Sequence, residues 1–315
     1  MTSIVFMGTP QFSVPILESL IEHHYDVLAV VTQPDRKVGR KHVLTAPPVK
    51  QAAVKHGVEV LQPEKINHSP EMQRVIDLQP DLIVTAAFGQ FLPTKLLEAA
   101  KLAAVNVHAS LLPKYRGGAP VHYSIINGDQ QTGVSIIYME KKMDAGDMLA
   151  QLAIDIEKTD DTGSMFDKLS ILGRDLLLET LPSLLDGTNQ AVPQDDELVT
   201  FSPNISTEEE RIDINKTAEQ IDNQVRGMRP FPISNMIVDQ LVTKIIDVTP
   251  LTETTDLKPG QVVRLTKKEL VIAAGQGTTF KINQLKPAGK PLMTIVDYLN
   301  GHHDLSEGEQ LITND

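Results

Sequence analysis

A histidine two residues after an asparagine, with a carboxylate further along the chain, can move protons and steady a developing oxyanion. Here the set is Asn106, His108 and Asp144. Asn106 and His108 alternate along what reads as one strand, so their side chains share a face. Imidazole exchanges protons near neutral pH, and a primary amide donates N–H bonds to developing negative charge. The plainer alternative for His108 is a strand-end ring bonded to backbone. Asp144 lies in Met143-Asp144-Ala145-Gly146-Asp147, which reads as a turn. A solvated turn carboxylate is its plainer alternative; a carboxylate that orients the histidine or relays its proton is the chemical one. Nothing in the spacing places Asp144 beside His108.

Two loops could bring substrates to such a set. The first runs Ser110-Leu111-Leu112-Pro113-Lys114-Tyr115-Arg116-Gly117-Gly118-Ala119-Pro120. Its paired glycines permit a tight turn, and Ala119-Pro120 suits a helix start. The second is Gln33-Pro34-Asp35-Arg36-Lys37-Val38-Gly39-Arg40-Lys41-His42, which carries four cations between 36 and 41. The formal net charge of the chain is -12, and an acidic protein repels nucleic acid at long range. A phosphate or RNA backbone would therefore need a local basic patch, and this loop is the candidate. The alternative is a solvated loop. The first turn, Gly8-Thr9-Pro10-Gln11-Phe12, lacks the glycines of a dinucleotide fingerprint and argues against a pyrophosphate ligand.

Several elements must position these residues. Apolar, β-branched runs at 3–7, 27–32, 58–61, 82–86 and 102–108 alternate with helical patterns at 15–21, 49–55, 71–78 and 94–99. That alternation predicts a parallel sheet covered on both faces by helices, with ligands at the carboxyl ends of its strands. Runs at 132–139 and 148–156 predict an antiparallel addition, and leucines at 169, 172, 176, 177 and 181 predict a long helix over 163–185. A polar stretch from 187 to 203 reads as a linker. Beyond it, a helix over 217–228 precedes short strands at 236–238, 242–248, 261–266, 269–273 and 279–285, a small barrel or sandwich.

The 315 residues fit one large domain and one smaller one. The expected division is a catalytic domain at 1–189, a linker at 190–206 and a second domain at 207–315. With 41% hydrophobic residues, 4% aromatics and no Trp, the core must rest on aliphatic side chains. The absence of Cys removes thiolate nucleophiles and cysteine-rich zinc sites, and fits a reducing cytoplasm. No apolar run approaches the roughly 18 residues needed to span a bilayer. The opening residues read directly into a strand, with no basic leader. A cytoplasmic protein with no membrane association is expected.

At residues 108–120 the chain resembles the folate-dependent formyltransferases: His-Ala-Ser-Leu-Leu-Pro-Lys-Tyr-Arg-Gly-Gly-Ala-Pro is a long and specific match. The opening Phe6-Met7-Gly8-Thr9-Pro10-Gln11-Phe12, the loop from Thr32 to Arg40 and the ending Gln284-Leu285-Lys286-Pro287-Ala288-Gly289-Lys290 extend the resemblance to nearly the whole chain. It implies an α/β fold: a Rossmann-like domain with a mostly parallel sheet, plus a small C-terminal OB-like β-barrel. It implies Asn106, His108 and Asp144 as the catalytic triad. Transfer from 10-formyltetrahydrofolate to the amino group of methionine on initiator tRNA is the implied reaction, by a monomer without a metal. Folate contacts are implied at Ser110, Leu111, Leu112 and Pro113, with Phe88, Gly89 and Leu92 lining the pterin pocket. Contacts to tRNA are implied at Arg36, Lys37, Arg40 and Lys41. A sugar-amine or purine-precursor formyltransferase, or a hydrolase releasing formate, would share the triad; a non-catalytic binding module would keep it idle. Two local departures from the family stand out: Ala145 where Thr is frequent, and Ile233-Ser234-Asn235 where a Gly-Ala pair is common.

Overall fold

The computed structural model describes residues 1–39, 41–301 and 304–314. The chain divides into two compact units, one of residues 1–120, 131–155 and 166–203, the other of residues 121–130, 156–165 and 204–315.

In the first unit, β1 (Ser3–Gly8), α1 (Val14–Glu22) and β2 (Asp26–Val31) lead to a hairpin of β3 (Arg36–Val38) and β4 (Val43–Thr45). Then follow α2 (Pro48–Lys55), β5 (Glu59–Leu61), α3 (Pro70–Leu78), β6 (Leu82–Ala86), α4 (Thr94–Leu97) and β7 (Ala103–His108). After α5 (Pro120–Ile126), which belongs to the second unit from Val121 on, come β8 (Gln131–Tyr138), β9 (Met148–Asp155) and α6 (Thr162–Asp186), whose residues from Phe166 belong to the first unit. The main sheet has the order β5-β2-β1-β6-β7-β8-β9. Its first five strands are parallel, and β8 and β9 are antiparallel additions.

The central strands explain themselves. β6 is Leu-Ile-Val-Thr-Ala and is buried along its whole length; both faces of a parallel sheet lie under helices, so its strands are apolar without alternation. In α6 the predicted leucine stripe is the buried one, with Leu169, Leu177 and Leu181 fully enclosed. The strand order reverses at β1, with β2 on one side and β6 on the other. A crevice at the carboxyl ends of the strands is expected there.

The second unit contains α7 (Ala218–Gly227), β10 (Asn235–Val238), β11 (Leu241–Leu251), β12 (Val262–Leu265), β13 (Leu270–Ala273), β14 (Thr279–Pro287), β15 (Met293–Thr294), α8 (Ile295–Leu299) and β16 (Ile312–Thr313). Its sheet is antiparallel, in the order β12-β13-β14-β11-β10-β16, with β15 on β14, and forms a half-barrel. Register shifts in the long β11–β14 pair bend it. Phe280, Ile282, Ile272, Val262 and Ile312 fill the core, together with Ile221 and Val225 of α7. A capping box of Thr217 and Gln220 starts α7.

Short elements escaped the hydrophobic pattern. The 33–42 segment reads as a loop but holds strand β3, which pairs Arg36 with Thr45 and Val38 with Val43. Three-residue strands carry too few alternations to read, and all six of these residues are exposed.

Candidate active site

β7 ends at His108, and its ladder sets the surroundings. Asn106 lies opposite Thr85 of β6 on one side and Ile137 of β8 on the other; His108 lies opposite Ser135. The Thr85 hydroxyl donates to Asn106 Oδ1 at 2.7 Å. That bond orients the amide, leaving Nδ2 to face Asp144 Oδ1 at 3.4 Å.

Asp144 comes from the connection between β8 and β9, with φ at 50°. Gly146 makes that turn possible, because a Cβ there would lie 1.9 Å from the Tyr138 carbonyl oxygen. Asp144 Oδ2 accepts the Gly117 N–H at 2.9 Å. Gly117 has φ +130°, and a Cβ on it would meet Ser202 O at 2.5 Å, so this approach of backbone to carboxylate needs glycine.

His108 is 6% exposed. Its Nε2 lies 3.0 Å from the Tyr115 carbonyl oxygen, which also accepts the Ser202 hydroxyl at 3.0 Å. A carbonyl only accepts, so Nε2 must carry a proton for this bond. The nitrogen left to change protonation is Nδ1, and it faces Asp144 Oδ1 at 3.7 Å. That separation is longer than a hydrogen bond. The structure thus brings together the three residues that sequence spacing left apart.

The loop after His108 is tied down residue by residue. Ser110 donates from Oγ to Lys114 O, and Ser135 donates from Oγ to Ser110 O, each at 2.7 Å. The Leu112 N–H donates to Ser135 Oγ at 3.1 Å, and Gln151 Nε2 donates to Leu112 O at 2.9 Å. The Leu112–Pro113 peptide is cis. Ser110 and Leu112 are buried; Leu111 and Pro113 are half-buried. Residues 200–202 lie along the same loop: Arg116 N–H donates to Thr200 O, Ser202 N–H to Arg116 O and Ala119 N–H to Ser202 O.

Beyond β6, Phe88 and Leu92 point into the sheet core, while Ala87 and Gly89 are exposed. Ala87 and Gly89 have φ of 47° and 84°. The Phe88 carbonyl accepts from Thr9 Oγ1 at 3.0 Å and Gln33 Nε2 at 3.2 Å. At the base of the hairpin, Gln62 and Lys50 donate to Asp35 and hold its carboxyl below the ordinary carboxylate range. Arg36 forks onto Glu64 at 3.2 and 2.5 Å with both side chains exposed; such a pair contributes little to stability. Lys37 and Lys41 are exposed. Arg40 lies outside the described residues.

Thr85, Ser202 and the Tyr115 carbonyl were not among the residues that sequence pointed to. Thr85 reaches Asn106 only through strand pairing, which hydrophobic periodicity does not reveal.

Residues 1–181 match the family model described as Formyl transferase, and residues 204–303 match that described as Formyl transferase, C-terminal domain. The chain belongs to the formyl transferase family. It is 70% identical over 315 residues to the methionyl-tRNA formyltransferase of Lactiplantibacillus plantarum, covering 99% of each chain. To the methionyl-tRNA formyltransferase of Limosilactobacillus fermentum it is 66% identical over 316 residues, covering 100% of each. Among solved structures, it shares its fold with an N-formyltransferase from Helicobacter canadensis in complex with folinic acid and dTDP-3-aminofucose. The TM-score is 0.70 at 18% identity, over 91% of this chain and 100% of that one.

Proposed function

We propose that this chain transfers the formyl group of 10-formyltetrahydrofolate to the amino group of methionine on initiator tRNA, with Asn106, His108 and Asp144 around the reacting carbon. The observation that carries the reading is the meeting of three groups: an amide N–H at 3.4 Å and an imidazole Nδ1 at 3.7 Å from the same carboxylate oxygen.

Only a neutral amine attacks a carbonyl carbon. His108 Nδ1 takes the amine proton as the new C–N bond forms, and Asp144 steadies the imidazolium. An Asn106 N–H donates to the formyl oxygen as it becomes an oxyanion. When the carbon–nitrogen bond to the donor breaks, His108 returns its proton to the departing nitrogen. No metal takes part. A positioned acid–base contributes about 10²–10⁴ in rate, and an oxyanion donor about 10²–10³.

Ser110, Leu111, Leu112 and Pro113 hold the folate, supported by the bonds of Ser135 and Gln151. Phe88 and Leu92 act from the core, setting the course of the exposed backbone at Gly89 against which the pterin lies. Arg36, Lys37, Arg40 and Lys41 bind tRNA phosphates. The parts at 1–189 and 207–315 act as catalytic and tRNA-supporting domains of a cytoplasmic monomer. Among the described residues no helix is long and apolar enough to cross a membrane.

The test is an acceptor comparison with 10-formyltetrahydrofolate as donor. Charged initiator tRNA should yield formyl-methionine rapidly, while a nucleotide-linked amino sugar and a no-acceptor control should give no formylated product and no formate. Preferential formylation of the sugar, or release of formate without acceptor, would sink the reading.

A further inference from the structure

We propose that Gln194 and Arg116 form a clamp that holds Asp144 in its working conformation, which makes both of them positioning residues for formyl transfer. The inference rests on the role given to Asp144 above.

Asp144 is an L-residue with φ at 50°, a conformation that non-glycine residues seldom adopt without support. The support comes from a segment whose composition reads as linker. Gln194 Nε2 donates to the Asp144 carbonyl at 2.9 Å and to the Gly146 carbonyl at 2.8 Å. Its Oε1 accepts from Arg116 Nε at 3.0 Å and from Nη2 at 2.8 Å. Two donors and two acceptor sites are all that an amide side chain has, and all are used.

Arg116 is 2% exposed, yet its nearest carboxylate oxygen, Asp196 Oδ1, lies 3.6 Å away on a side chain that is 79% exposed. A buried guanidinium that forks onto a neutral amide is an unusual use of charge. Its effect is to polarise that amide, so that the Gln194 N–H bonds to the turn are stronger than neutral ones.

The clamp is itself anchored on both sides. Two backbone bonds of 2.8 Å join Val192 to Met148 at the start of β9, and Phe201 bridges to Arg116. Arg116 is followed by Gly117, whose N–H holds the Asp144 carboxylate. One dipeptide therefore fixes Asp144 twice: the carboxylate through the Gly117 amide, and the backbone through Gln194.

The experiment is single-turnover formyl transfer from 10-formyltetrahydrofolate to initiator methionyl-tRNA by the full chain, with thermal melts followed by circular dichroism. The variants are Gln194→Ala, Gln194→Glu, Asp144→Asn and the double variant Gln194→Ala/Asp144→Asn. A misplaced catalytic group costs up to about 10²-fold, so Gln194→Ala should lower the rate constant within that range and leave both KM values alone. Gln194→Glu keeps the volume and would pair better with Arg116, but it loses the donors to two carbonyls. It should be at least as slow as the alanine variant, and it carries the test if alanine impairs folding. In the Asp144→Asn background, Gln194→Ala should add no further loss. A Gln194→Glu variant at the parent rate would overturn the clamp, because Gln194 would then only answer the charge of Arg116. Multiplying losses in the double variant would overturn it too. An Asp144→Asn variant at the parent rate would remove the catalytic reading and the clamp together. That result differs from failure of the clamp alone, in which Asp144→Asn is slow and both Gln194 variants are fast.

Discussion

At the scale of single residues, the site turns on which atom of His108 is free to exchange a proton. The Tyr115 carbonyl occupies Nε2, and Nδ1 faces Asp144. The sharing of protons that spacing leaves open is thereby confined to one edge of the ring. The same logic applies to Asn106. Thr85 donates to its Oδ1 and so aims Nδ2 toward the reacting groups. Replacing Thr85 by Val should leave the amide free to turn over. A lost hydrogen bond of this kind contributes about 1 kcal/mol, so kcat should fall by several-fold up to about tenfold, with KM for tRNA unchanged. Steady-state kinetics of the purified variant would show this; a fall in affinity with unchanged kcat would place Thr85 in substrate binding instead.

Individual elements show where the sequence is legible and where it is not. The strands of the main sheet read easily because both faces are buried, and β6 and β7 lie within a residue of the expected spans. The three residues of the site were visible as types on a strand end and in a turn. Their contact was not, because it depends on the antiparallel pairing of β7 with β8, which brings the turn at 143–147 back to His108. The polar stretch from 187 to 203 lacks apolar periodicity, yet its backbone bridges to Met148 and Arg116, pairings that composition does not reveal. Ile233 has a physical consequence of its own. Its φ is 75°, a conformation that costs a residue with a Cβ about 1–2 kcal/mol. Ile233→Gly should recover much of that, less the entropy that glycine adds to the unfolded chain. Urea denaturation followed by circular dichroism would detect the raised midpoint, and a lowered midpoint would mean that the isoleucine side chain contributes more through packing than its backbone loses. Conversely, Gly146→Ala would drive a methyl into the Tyr138 carbonyl. It should abolish transfer by displacing Asp144 while the parallel part of the sheet keeps its circular dichroism.

Taken whole, the molecule is an acidic chain of net charge -12 that must hold a polyanion. The proposed answer is the basic hairpin, on which Arg36, Lys37 and Lys41 are exposed. Arg40→Ala and Lys41→Ala should each raise KM for tRNA and flatten its dependence on salt, since each phosphate contact contributes about one counterion to the slope. Identical salt slopes in the variants would make the hairpin a bystander. The second unit carries a pH dependence of its own. Burial pushes the His122 pKa below its ordinary 6.5, against the opposing pull of the Phe231 carbonyl. A depressed pKa means that the unfolded chain binds the proton first. The contribution of His122 to stability is therefore full above pH 6.5 and is lost as the pH falls toward the folded value. Denaturation midpoints should drop through mildly acidic pH, and His122→Gln should remove part of that drop. The proposed transfer places Asn106, His108 and Asp144 around the reacting carbon. The most direct measurement is the single-turnover rate of formyl-methionyl-tRNA formation at saturating tRNA and 10-formyltetrahydrofolate, with parent and His108→Ala proteins of equal melting temperature. The predicted result is a loss of about 10²–10⁴ in the rate constant, with tRNA binding intact; a His108→Ala protein that transfers formyl at the parent rate would contradict it.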